Sequence, residues 1–394
     1  MIAVGLVAPP WLAKVARADM LRMAAGETAK DSVIVVCQLS GGNDGLNTLI
    51  PFTDPKYREL RPKLAIGEDA MIKVTEDFGF HPSMTGLSEL YREGKVAFVR
   101  GVGYPNPDRS HFKSMEIWQS GSPDGSLKYG WLGRHFDNLM DQGPISPVVG
   151  MGLSVDKPRS LVAAKAGIPC FASLADIESM VGDPDAERRL REIQGSEKGP
   201  DDPLRVVQQA NRSALDAMAE LQSKLALAAP KQSYADDAFG RGFKQIAQIV
   251  MCSPATRVVY FSAGGFDTHS RQPEQHAKLL QGLSDALLAF QREMEAAGRA
   301  DKVTVMCFSE FGRRAYENGS QGTDHGQAGP MVLVGKGVKG GMYGQQPSLT
   351  DLSRGDLKWS TDFRQVYATT LDDWMGSDSG TVLGKEFGSL GLFA

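Results

Sequence analysis

Cysteine is scarce in this 394-residue chain, and none of its four residues, Cys37, Cys170, Cys252 and Cys307, falls in a C-x-x-C spacing. That excludes a zinc ribbon and a disulfide framework; the thiols read as buried free groups, two of them inside apolar strand-like runs. Basic charge is not in excess either, with 43 Lys and Arg against 47 Asp and Glu and a formal net charge of −4. Without a global positive field, a nucleic-acid partner is not expected. Long apolar runs are missing as well: no segment reaches the ~18 continuous apolar residues of a spanning helix, so no stable membrane span is expected. Internal repeats and low-complexity tracts are also lacking. What remains is an ordinary globular composition, 42% hydrophobic and 23% charged, long enough for a sizeable core.

The first residues are less ordinary. AVGLVAPPWLAKVARA is apolar and alanine-rich and ends in Ala16-Arg17-Ala18, a small-x-small pattern like a signal-peptidase site. The expectation is the remnant of an export signal over residues 1–30, a mature chain beginning near Asp19, and a periplasmic or secreted location. A short amphipathic start in a cytoplasmic protein is the alternative, since Pro9-Pro10 interrupts the run and no charged region precedes it.

From residue 33 onward, strand and helix patterns alternate. The run 33–39 (VIVVCQL) is continuously apolar and β-branched, as in a strand covered on both faces. Further strands are predicted at 95–100, 147–150, 257–262, 303–308 and 331–334. Helices are predicted at 82–93, 111–118, 131–141, 204–227, 239–251, 274–297 and 362–375. This alternation predicts an α/β fold, a doubly wound and mostly parallel sheet with helices on both faces. It is read as a single domain over 31–394, with the irregular stretch 153–202 inserted as a cap over the sheet edge.

Three stretches put acids and histidines where apolar runs end: Gly41-Gly42-Asn43-Asp44, Gly265-Phe266-Asp267-Thr268-His269, and Ser309-Glu310 with Thr323-Asp324-His325-Gly326. Strand carboxyl ends share one edge of an open α/β sheet, so these residues can meet there and hold a divalent metal. Asp44 is either a metal ligand or a turn residue bonded to its own backbone. Asp267 and His269, two apart, point the same way in an extended stretch and can grip one ion. His276 in the helix beyond either joins them or, the preferred reading, is a surface residue, and Asp324 reads as a partner that orients His325 or the metal. Ser110-His111 stands at a predicted helix start, where Ser110 is either a metal-activated nucleophile or a helix cap. Arg109 either holds an anionic substrate or pairs with a surface acid, and Arg313 and Arg314 are further anion contacts.

LSGGNDGLNTLIPFTDPKY, GVGYPNPDRSHFKSMEIWQSG, FDTHSRQ, SEFGRRAYENGSQGTDHG and TDFRQVYATTLDDWMG together resemble the bacterial domain-of-unknown-function 1501 family, over nearly all of the chain from about residue 31. Members are typically exported, many through a twin-arginine signal; no arginine pair stands within residues 1–30 here. The family is grouped with the alkaline phosphatase-like superfamily, which includes sulfatases. The resemblance implies two adjacent metals and a Ser or Thr nucleophile. By position, Ser110 is the implied nucleophile, flanked by Arg109 and His111 as catalytic neighbours. Asp44 and Glu310 hold one ion, and Asp267, His269 and His325 the other. The implied cofactor is one or two divalent ions (Zn, Mn, Mg or Ca), and the implied substrate a small anionic ester. The departure is Phe311, which stands where the superfamily has a histidine ligand. It leaves two expectations: a metal-dependent hydrolase or transferase of phosphate or related esters, or a non-catalytic exported binding or assembly protein with an eroded site. No sulfatase-type Cys/Ser-x-Pro-x-Arg segment surrounds Ser110.

Overall fold

The computed structural model describes residues 31–175 and 228–394, with positions 188, 208, 212, 215–217, 221, 224 and 225 between them. The central strand, β1 (Val33–Leu39), is buried along its whole length. Its alternate residues feed two cores: Val33, Val35, Cys37 and Leu39 enter one, Ile34 and Val36 the other. Each fully buried aliphatic side chain contributes about 1.5–3 kcal/mol relative to exposure, which is why an uninterrupted β-branched run takes the centre of the sheet.

Three two- to three-residue strands, β2 (Leu49–Pro51), β3 (Ile72–Lys73) and β4 (Phe78–Phe80), form a small antiparallel sheet of their own. The main sheet adds β5 (Val96–Gly103), β6 (Gly150–Leu153), β7 (Cys170–Phe171), β8 (Val258–Ala263), β9 (Val303–Phe308), β10 (Gly329–Val334) and β11 (Gly341–Tyr343). Its order is β11-β5-β10-β9-β1-β8-β6-β7, with β12 (Thr361–Asp362) also paired to β5. β1 runs parallel to β8 and β9, and β10 is antiparallel to both β9 and β5. Two reversals leave β5 pointing the same way as β1, so the loops after β1, β5, β8 and β9 all emerge at one edge. Since β10 starts at that edge, residues 309–328 form a single excursion over it.

The short helices α1 (Gly45–Thr48) and α2 (Pro55–Leu60) follow β1. One face of the sheet is covered by α3 (Thr85–Arg92), α6 (Ala238–Cys252) and α7 (Gln272–Ala296), the other by α4 (His111–Ser120), α5 (Trp131–Gln142), α8 (Phe363–Thr369) and α9 (Ser379–Leu383). In α7 the buried Leu280, Leu283, Leu287, Phe290 and Met294 recur at spacings of three and four, the stripe that lays a helix on a sheet. Helices therefore lie on both faces of a mostly parallel sheet, as the alternation predicts.

The differences lie at boundaries and in short elements. The strand expected at 147–150 is Gly150–Leu153. The stretch expected as an irregular cap from 153 contains β7, parallel to β6, before it passes beyond residue 175. The C-terminal helix changes to a wider π turn at Thr370–Met375 and ends at Gly376, whose φ of 64° suits glycine. Of the helix expected at 204–227, Leu215, Leu221 and Leu225 are helical and buried; the rest falls mostly outside the described residues, as do residues 1–30.

Candidate metal centre

The site assembles on the edge where those loops emerge, and two glycines bring its walls together. Gly41, at φ 122°, passes so near the loop after β8 that an added Cβ would lie 2.4 Å from the Asp267 nitrogen. Gly42, at φ 83°, leaves the same space for the ring of Phe311.

Asp267 is the hub. Its Oδ1 lies 2.9 Å from His325 Nε2 and 3.0 Å from His269 Nε2, and its Oδ2 lies 3.4 Å from His111 Nε2. The two Nε2 atoms of His269 and His325 are 2.9 Å apart. The opposite nitrogens each face an oxygen acceptor, which places the proton of a neutral ring there. His325 Nδ1–H donates to the Arg109 carbonyl at 2.8 Å, His111 Nδ1–H to Glu310 Oε1 at 2.8 Å, and His269 Nδ1–H reaches Asp324 Oδ1 at 3.3 Å. In neutral rings the Nε2 lone pairs therefore face one another and the Asp267 carboxylate, an arrangement of acceptors able to hold a cation. His111, Asp267 and His325 offer ligand atoms all within 4.8 Å of one another. Imidazoles with one carboxylate suit zinc or manganese.

The electrostatics follow from burial and neighbours. Burial works to raise the Asp267 carboxyl, but the hydrogen bond and the charge of Arg313 override it and hold it well below the usual carboxylate range. Burial pushes the His325 imidazole down, which favours the neutral ring. The Glu310 hydrogen bond raises His111. Glu310 is itself sealed from solvent and also accepts the Gly41 N–H at 2.8 Å, while its own carbonyl accepts from Ser114 on α4. It therefore stands behind His111, orienting the ring as carboxylates do behind metal-binding histidines. Phe311 packs against the same rings, its centroid 4.9 Å from His111 and 4.6 Å from His325.

A buried guanidinium bonds the same oxygen of Asp267. Arg313, with a fully buried side chain, donates to Asp267 Oδ1 at 2.7 Å, to the carbonyls of Gly42 at 2.7 Å, Thr323 at 2.8 Å and Phe266 at 2.9 Å, and to that of Gly41.

The model of the family described as "Protein of unknown function (DUF1501)" matches residues 30–389. The chain belongs to that family. A search of curated proteins returns no match. Among solved structures, this DUF1501 chain is similar to PsFucS1 sulfatase from Pseudoalteromonas sp., at 9% identity and a TM-score of 0.41, with 98% of this chain and 77% of that one covered. It is also similar to the C-terminal periplasmic domain of EcEptC from Escherichia coli, at 9% identity and a TM-score of 0.39, covering 91% and 88%. A third is the phosphonate monoester hydrolase SpPMH from Silicibacter pomeroyi, at 10% identity and a TM-score of 0.35, covering 90% and 77%. At such TM-scores the likeness assigns no chemistry to the DUF1501 chain.

The structure brings Asp267, His269, His325 and His111 of this DUF1501 chain together, with Glu310 directly behind. Asp44 lies elsewhere: it caps α1, and its Oδ2 is taken by Arg61 at 2.6 Å and by Gln272. Burial works to raise the Asp44 carboxyl, and Arg61 overrides it and holds it low. Ser110 immediately precedes His111, is exposed, and makes no capping bond through its side chain. Arg109 meets the cluster through its carbonyl, while its guanidinium lies 3.5 Å from the buried Asp356. Arg314 approaches the other oxygen of Asp356 at 3.2 Å. His276 is buried and bonded to Asn43 at 2.9 Å, not on the surface. Sequence reasoning missed Arg61 and Gln272, and it read Arg313 as an anion contact where its guanidinium is buried. The one signal for Arg313 was its place three residues after Glu310.

Proposed function

We propose that this protein is a metal-dependent hydrolase or transferase acting on phosphate or related esters through Ser110. The observation that carries this reading is the convergence of three imidazole Nε2 atoms on the Asp267 carboxylate, beside an exposed and uncapped serine. A divalent ion held by His111, Asp267 and His325, with His269 alongside, would draw an anionic ester and make a neighbouring hydroxyl more acidic. Ser110 Oγ bonds to phosphorus as its proton leaves to solvent and the ester alcohol departs; water then cleaves the phosphoserine and restores the hydroxyl. Glu310 and the Arg109 carbonyl keep the two imidazoles aimed. The substrate class is a small anionic ester. The Ala16-Arg17-Ala18 pattern supports export of the chain, which fractionation of expressing cells would test.

The second reading, a binding or assembly protein, is favoured by one observation: Asp44, the expected first-strand ligand, is already neutralised by Arg61. A screen of phosphomonoesters and phosphodiesters with metal-reconstituted protein separates the two. Turnover that disappears in Ser110→Ala is expected for the enzyme, and an unchanged rate in that variant removes Ser110 from its role.

A further inference from the structure

The two-ion layout implied by the sequence resemblance does not fit this donor set. Of the carboxylates at the strand ends, Asp44 is closed off by Arg61, with both side chains almost fully buried. Glu310 is turned into the back of His111 and the Gly41 N–H. Phe311, which offers no lone pair, stands against His111 and His325 where a further donor would have to be. Among the described residues Asp267 is the carboxylate that meets the imidazole Nε2 atoms, and its Oδ1 already accepts from Arg313.

We infer that the buried Arg313 guanidinium is the permanent second cation of this centre, and that the chain takes one divalent ion, on the His111–Asp267–His325 side. This rests on the metal-site reading above and deepens it. The surroundings of Arg313 are those of a cation site: the carbonyls of Gly41, Gly42, Phe266 and Thr323 and one carboxylate oxygen all accept from it. Without a cation the carbonyls of Gly41, Gly42 and Thr323 would be acceptors deprived of the guanidinium, while that of Phe266 would keep only the Thr268 N–H, so the guanidinium and its cage require one another. A guanidinium is covalently part of the chain and is not removed by chelators. Its charge lies against the Asp267 carboxylate, and it opposes a second divalent ion there through like-charge repulsion. Arg313 is thus a positioning residue that fixes the carboxylate through which the single ion is held.

The test uses the full chain, stripped with chelator and reloaded with excess Mn²⁺, then freed of weakly held ion. Elemental analysis is expected to give one Mn per chain, and electron paramagnetic resonance an isolated Mn²⁺ signal. Two ions per chain with the exchange-coupled spectrum of a pair roughly 3.5–4 Å apart would overturn the inference and leave the metal-site reading standing. No retained ion would overturn both. His325→Gln, checked for folding by circular dichroism, is expected to weaken Mn²⁺ binding at least tenfold. Unchanged stoichiometry and affinity in that variant would place the ion elsewhere and sink the inference.

Discussion

Arg61 Nη1 donates to Asp44 Oδ2 at 2.6 Å, with the two side chains 0% and 1% exposed. The same guanidinium also donates to Asn47 Oδ1 at 3.0 Å, the Ala315 carbonyl at 3.0 Å and the Arg314 carbonyl at 2.9 Å. One arginine thereby ties the loop after β1 to the 309–328 excursion.

Removing that cation strands a buried carboxylate. Arg61→Met is expected to lower the unfolding free energy by about 3–5 kcal/mol, because the Coulomb partner goes while the cost of burial stays. Urea unfolding of wild type and variant measures it. A loss below about 1 kcal/mol would mean that Asp44 is not confined as the geometry shows.

Glu310 acts through His111. Glu310→Gln keeps an acceptor for Gly41 N–H but takes away the charge that fixes the ring. Metal affinity is expected to fall about 10–100-fold with the fold intact. Competition with a chromophoric chelator reads the affinity. Equal affinities would show that His111 needs no carboxylate behind it.

Three other histidines should make the protein acid-sensitive. Burial pushes His81 and His135 down to about 4 and His276 down to about 3. In the unfolded chain they take up protons below about pH 6.5. Between that value and the folded-state values the unfolded state binds more protons, so stability falls as pH falls, by up to about 1.4 kcal/mol per pH unit for each group. Urea midpoints between pH 7 and pH 4 should decline, and His135→Phe should flatten the decline if it folds normally. A pH-independent midpoint would contradict the burial of these rings.

The parts of this fold that could be read in the sequence are those where burial is periodic and long. β1 declares itself through seven consecutive buried residues, and α7 through its stripe of Leu280, Leu283, Leu287, Phe290 and Met294. β7, β3 and β4 have two or three residues each, too few for a period to show. At the site, Asp267, His269 and His325 were legible because post-strand loops converge on one edge. Asp44 had two readings, and it bonds its local backbone as the turn reading holds; its partner Arg61 was not legible, because it sits in a charge-rich segment that looks solvated and only tertiary packing closes over it. Glu310, expected as a ligand, lies behind His111 on the Nδ1 side of the ring, a position set by how α4 enters and by Ser114 bonding the Glu310 carbonyl. Ser110 had two readings; the absence of a side-chain cap leaves its hydroxyl available for chemistry.

The receptor for Arg313 is made almost wholly of main chain, since Gly41, Gly42, Phe266 and Thr323 all contribute carbonyls. Its information therefore lies in the path of the backbone and not in side-chain identity. Substitutions at Thr323 that preserve the path should leave the cation's setting untouched, whereas adding a single methyl group at Gly41 would disturb it without altering any donor or acceptor.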